Sequence, residues 1–134
     1  MIPQRRGFNF PKSHRLYSKK EIGSLFQQNK SFLVFPLKVL YADASGRNVP
    51  LSILISIPKS RIKKATHRNH IKRLIKEAFR QHNSSLYNWL ESKEQQIICS
   101  MIYVHNQSLS YKQIEQSVIS VLQKIENNLQ LITQ

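Results

Sequence analysis

The sequence holds one cysteine, three glycines, one tryptophan and only seven acidic residues. The single thiol, Cys99, cannot close an internal disulfide. Its apolar setting, "QQIICSMIYV", reads as an inert buried thiol in a protein of a reducing compartment. Few glycines, with five prolines spread along the chain, exclude collagen-like and low-complexity architectures. There is no internal repeat and no glycine-rich phosphate loop. No window approaches the ~18 apolar residues of a membrane span. The opening "MIPQRRGFNFPK" lacks the apolar core and cleavage pattern of a signal peptide. A cytoplasmic location is the expectation.

The shortage of acids has its own consequence. Glu21, Asp43, Glu77, Glu91, Glu94, Glu115 and Glu126 are scattered, whereas a two-metal nuclease needs clustered carboxylates. His67 and His70 are three residues apart, but a zinc site wants further Cys or His ligands at suitable spacing. His82 and His105 complete no such pattern. Cys99 lacks the electropositive setting of a nucleophile. A metal-free histidine pair, His67 with His70, is the one route to protein catalysis that the residues leave open. No catalytic residue, metal site or bound cofactor is therefore expected in the protein itself.

What the chain has instead is positive charge. Lys and Arg number 21, for a formal net charge of +14 over 134 residues. The length suits one domain, with residues 1–11 an irregular basic lead-in. Charge on this scale either keeps a protein soluble or meets a polyanion, which means nucleic acid or an acidic membrane surface. Clustering of the charge favours the polyanion.

Hydropathy patterning gives an α+β order. From Ser18, "SKKEIGSLFQQNK" places Ile22, Leu25 and Phe26 on one face of a short helix, with Ser18 and Glu21 as a capping box. "SFLVFPLKVLYADASGRNVPLSILISIPKS" reads as two or three strands. Pro36 marks an edge, a bulge or a break, and "DASGRN" is a turn. Leu51, Ile53, Ile55 and Ile57 alternate with Ser52, Leu54 and Ser56, as a strand with one apolar face requires. A long helix covers roughly Lys64 to His82. "NSSLYNWLESKEQQ" is a linker with a short turn of helix around Leu86, Trp89 and Leu90. "IICSMIYV" is a buried strand, and "NQSLS" is a turn. Ser110 and Gln113 cap a last helix striped by Ile114, Val118, Val121, Leu122, Ile125 and Leu129. A single sheet with helices packed on it follows.

The long helix, "KKATHRNHIKRLIKEAFR", carries the function. Lys64, Arg68, Lys72, Lys76 and Arg80 are each four apart and predict a cationic ridge. Asn69, Arg73 and Glu77 form a second row, with Glu77 able to pair with Arg73. Ile71, Leu74, Ile75, Ala78 and Phe79 lie mainly opposite. Like charges four apart cost a few tenths of a kcal/mol per pair, and a phosphate backbone turns that repulsion into attraction. The plain alternative is a solvated face. An acidic-membrane binder is a further alternative, but its helix would expose the apolar stripe, which here is needed for the core.

Arg68 to Glu77, "RNHIKRLIKE", resembles the R-N-x-x-K-R-x-x-[R/K]-E signature of the bacterial ribonuclease P protein component. The resemblance spans most of the chain. "HRLYSKKEIGSLFQQNKSF" is similar to that family's first helix, "ISIPKSRIKKATHRN" to its strand-to-helix passage, and "YKQIEQSVISVLQKI" to its last helix. The chain departs from the pattern at His70 and Lys76, where arginine is common, and at Ser60-Arg61-Ile62, where a glycine is usual.

The resemblance implies an αβββαβα sandwich with a mixed four-stranded sheet and a left-handed crossover between parallel strands. General rules alone predict the right-handed crossover. It implies a protein subunit that binds a catalytic RNA and the 5′ leader of precursor tRNA, while the RNA uses magnesium and removes the leader. Membranes and an obligate protein partner play no part in it. The catalytic-RNA set would be Arg61, Lys64, Arg68, Asn69, Lys72, Arg73, Lys76 and Arg80. The leader set would be Ile22, Phe26, Phe32, Lys38 and Tyr41, with core packing the competing role for Phe26 and Tyr41. A generic RNA-binding or ribosomal-type protein without a processing role is the alternative.

Overall fold

A computed structural model describes residues 30–43 and 49–133, with side chains placed through residue 131. The expected lead-in, the first helix with Ile22 and Phe26, and most of the "DASGRN" turn lie outside the described residues. Within them, β1 is Lys30–Val34, β2 Leu37–Asp43, β3 Leu51–Ser56 and β4 Ile97–Tyr103. The helices are α1 (Ala65–His82), α2 (Ser84–Ser92) and α3 (Tyr111–Thr133).

The strands form one mixed sheet in the order β1-β2-β4-β3. β2 runs antiparallel to both β1 and β4, while β3 and β4 are adjacent and parallel. A parallel pair cannot be joined by a tight turn, so α1 and α2 form the crossover. The architecture is α+β, as expected. Pro36 sits with Phe35 in the two-residue turn between β1 and β2, where its missing N–H costs the ladder nothing.

Strand alternation divides the sheet into two faces. Leu37, Val39, Tyr41, Leu51, Ile53, Ile55, Ile97, Cys99, Met101 and Tyr103 point to the face that packs against all three helices. The α3 stripe from Ile114 to Leu129 is buried there as its spacing predicts. The Ser110–Gln113 box forms: the Gln113 N–H donates to Ser110 Oγ at 3.2 Å, and the Ser110 N–H donates to Gln113 Oε1 at 3.0 Å. The second face carries a smaller apolar cluster of Leu40, Ala42 and Ile98, flanked by Leu54 and Ile102, to which no described helix contributes. Burial pushes the Cys99 thiol up to about 12, so it is protonated at neutral pH and inert there.

The segment expected to be a linker with a helical turn is a nine-residue helix, α2, burying Leu86, Tyr87 and Leu90. Buried Asn83 makes the joint. Its backbone N–H and its Nδ2 both donate to the Phe79 carbonyl, at 3.0 and 2.9 Å, and its own carbonyl accepts the Tyr87 N–H at 2.9 Å. One residue thus closes α1, with its side chain and N–H, and opens α2, with its carbonyl.

Just beyond α2 and its cap Lys93, Glu94 sits at φ 52°, the left-handed position that glycine usually fills after a helix. A β-carbon there costs roughly 1–2 kcal/mol, part of which glycine gives back as backbone entropy. Glu94→Gly should therefore raise stability by about 0.5–1 kcal/mol. Urea unfolding measures it; a lower midpoint would show that the Glu94 side chain holds something that the backbone argument omits.

Candidate nucleic-acid interface

α1 buries Ile71, Ile75, Ala78 and Phe79 to 1% exposure or less. Its remaining surface is cationic, but the geometry is not that of a straight ridge. Four residues advance a helix by about 40° beyond one full turn. The Lys64–Arg80 row therefore winds around the helix. Arg68, Lys72, Lys76 and Arg80 are half-buried, while Asn69, His70 and Arg73 are exposed. The face opposite the core is the Asn69–Arg73 row, with the ridge wrapped beside it.

The winding explains Arg68. It begins near the core edge, and its guanidinium Nη1 donates to the carbonyls of Ile62 at 3.0 Å and Lys63 at 2.7 Å. Arg68 thus ties down the loop that leads into α1. That loop is also shaped by Pro58, whose carbonyl accepts the N–H groups of Arg61 and Ile62 at 3.0 and 3.1 Å.

Glu77 departs from expectation. Its carboxylate is taken by Arg80, whose Nε donates at 3.0 Å, and by Gln81, whose Nε2 donates at 2.6 Å. Those hydrogen bonds hold the Glu77 carboxyl below the usual carboxylate range and raise Arg80. Arg73 lies four residues before Glu77 and Arg80 three after it, both within reach, and the fold selects the C-terminal one. At the end of α1, His82 Nε2 lies 2.8 Å from Glu115 Oε2, bridging α1 to α3. Arg80 and His82 also suit the negative end of the helix.

The start of α1 is the opposite case. Lys64 caps it without a side-chain hydrogen bond, and its first turn holds no acid. Unpaired N–H groups and nearby cations add to one positive potential. An open cleft of about 580 Å³ lies there, lined by Arg61, Lys63, Lys64 and His67 on one side and Asn106, Gln107 and Ser108 on the other. A second cleft of about 440 Å³ runs along the helix past His70, Arg73, Lys76 and Arg80. The RNA-binding set read from the sequence omits Lys63, His67 and the Asn106–Ser108 loop. The approach of that loop is tertiary, and its sole sequence cue was the turn "NQSLS".

Of the leader set, the described members Phe32, Lys38 and Tyr41 do not share one surface. β1 pairs with β2 so that Phe32 opposes Val39 and Leu33 opposes Lys38. Phe32 and Tyr41 consequently share the helix-side face, in an edge-on contact with ring centroids 6.1 Å apart. Lys124 of α3 sits over the Phe32 ring at 5.0 Å, and Asn128 Nδ2 donates to the Tyr41 hydroxyl at 3.3 Å. Tyr41 is 4% exposed and belongs to the core; no base can stack on it without opening the sheet–helix packing. Lys38 is exposed on the other face. No group of three or more His, Cys, Asp or Glu that could hold a metal occurs among the described residues, and no described helix is long and apolar enough to cross a membrane.

The loop-anchoring role of Arg68 can be tested apart from any contact with RNA. Arg68→Ala should lower stability by roughly 1 kcal/mol, since hydrogen bonds from a charged donor are lost. Lys72→Ala should leave stability within about 0.5 kcal/mol. Both should reduce the salt slope of RNA binding by about 0.7–0.9, one phosphate contact. Urea titration and binding over a range of potassium chloride read the two effects. Equal stability of both variants would remove the loop-anchoring role.

Residues 10–126 match the sequence model of the family described as Ribonuclease P. The chain is 32% identical over 123 residues to the ribonuclease P protein component of Porphyromonas gingivalis strain W83, covering 91% of this chain and 90% of that protein. It is 36% identical over 81 residues to the protein of the same name from Methylococcus capsulatus, covering 60% and 62%. In fold it is similar to the solved RNase P protein of Staphylococcus aureus, with a TM-score of 0.65 at 20% identity, over 85% of this chain and 96% of that one.

Proposed function

The chain belongs to the ribonuclease P protein family, and we propose that it serves as the protein subunit of a ribonuclease P ribonucleoprotein. In this reading it binds the catalytic RNA through the exposed side of α1 and the loop before it. It also holds the 5′ leader of precursor tRNA, with Lys38, exposed on the second sheet face, among the residues that take part. The RNA supplies the magnesium ions and the phosphodiester hydrolysis. The protein binds no cofactor of its own, works in the cytoplasm and needs neither a membrane nor a second protein.

One observation carries the reading. α1 buries Ile71, Ile75, Ala78 and Phe79 in the core, with Leu74 partly buried beside them, leaving Asn69, His70 and Arg73 exposed beside a winding row of cations. Glu77, the only acid on α1, is already occupied by Arg80 and Gln81. What remains outward is net positive, suited to a phosphate backbone. The same packing argues against membrane binding, since such a helix must insert its apolar side.

The role of the protein is then positioning and charge neutralisation. Cations set along a folded surface displace counterions from two RNA strands at once and lower the cost of bringing them together. The benefit is largest when magnesium is scarce. Cleavage of precursor tRNA by the cognate catalytic RNA at low magnesium, with and without the protein, tests this. The protein should speed cleavage and tighten precursor binding, and protein alone should leave the precursor intact. No effect on either would refute the reading. Cleavage by protein alone would return the chemistry to the protein, with His67 and His70 the first groups to replace.

A further inference from the structure

The turn between β1 and β2 presents a large aromatic side chain to solvent: Phe35 is 58% exposed. Its backbone is held from both sides. The Phe35 carbonyl accepts Ser117 Oγ at 2.7 Å, and the neighbouring Pro36 carbonyl accepts the Val104 N–H at 2.8 Å. The ring meets His105 edge-on, with centroids 4.9 Å apart at 69°. His105 in turn lies 6.4 Å from the ring of buried Tyr103, whose hydroxyl donates to the Gln107 carbonyl at 2.6 Å. The backbone of the turn and the loop beyond it are thus held before any ligand arrives, so little backbone entropy is lost on binding.

The loop leads directly to charge. His105 is followed by Asn106, Gln107 and Ser108, which form one wall of the cleft whose other wall is Arg61, Lys63, Lys64 and His67. Consecutive Cα atoms are about 3.8 Å apart, so the aromatic pair and the cleft are near neighbours. Among the described residues, no acidic side chain lines that cleft. An open aromatic ring beside cations and side-chain amides is the combination that takes an unpaired nucleotide: the ring stacks the base, the cations hold the phosphate, and amides read base edges.

We propose that Phe35 and His105 hold an unpaired base of the catalytic RNA, with the adjoining phosphate in the Arg61–Lys64 cleft. This rests on the catalytic-RNA reading above and extends its interface from α1 to the end of the sheet. Continuity chooses the occupant: Arg61 and Lys64 belong both to the cleft and to the cationic surface assigned to that RNA.

The test is binding of labelled catalytic RNA to the full chain and to Phe35→Ala, Phe35→Leu and Phe35→Tyr. Leu keeps apolar volume without a ring and guards against misfolding of the Ala variant. Ala and Leu should each weaken binding roughly five- to tenfold, the low end of a base–aromatic stack, and Tyr should bind like wild type. The slope of affinity against salt should not change, because no charge is removed. Ala and Leu variants that bind the RNA like wild type would overturn this inference alone. So would a loss confined to precursor over mature tRNA in the assembled enzyme, which would seat a leader base there. A wild-type chain that fails to bind the catalytic RNA would overturn the parent reading as well.

Discussion

The structure depends on α1 facing two ways. Burying a side chain such as Ile or Phe contributes about 1.5–3 kcal/mol, and Ile71, Ile75 and Phe79 are each buried to 1% exposure or less. Repulsion between like charges one turn apart is a few tenths of a kcal/mol. Packing wins by nearly an order of magnitude. The helix can therefore keep a face that no structural need would select, and that face is free to serve a polyanion.

Much of that face is set before a partner arrives. Arg68 anchors the entry loop, Arg80 is fixed by Glu77, Asn83 joins α1 to α2, and His82 meets Glu115 of α3. A surface prepared this way loses less freedom on binding than a basic tail would. It also means that the cations are not equivalent. Arg73 and His70 are exposed, whereas Arg68 works partly for the fold.

Most of the architecture was legible in the sequence. The alternation of Leu51, Ile53 and Ile55 and the stripe from Ile114 to Leu129 went where their periods sent them. α2 was only half legible, because Asn83, not a side-chain cap of the usual kind, creates the joint. The cationic row on α1 was legible, and it winds around the helix because a four-residue step is longer than a turn. Glu77 had two arginines within reach, and sequence could not choose between them. Phe32, Lys38 and Tyr41 looked like one group, but Phe32 and Lys38 lie on separate strands. Their relative side depends on the register set by the Phe35–Pro36 turn, where Val34 meets Leu37. A slip of one residue would have reversed it.

Side-chain radical footprinting of the protein, alone and bound to the catalytic RNA, tests the central claim most directly. The account predicts protection of His67, His70 and Arg73 on α1, with no change at exposed Leu131 near the end of α3. Protection at Leu131 with α1 left reactive would contradict it.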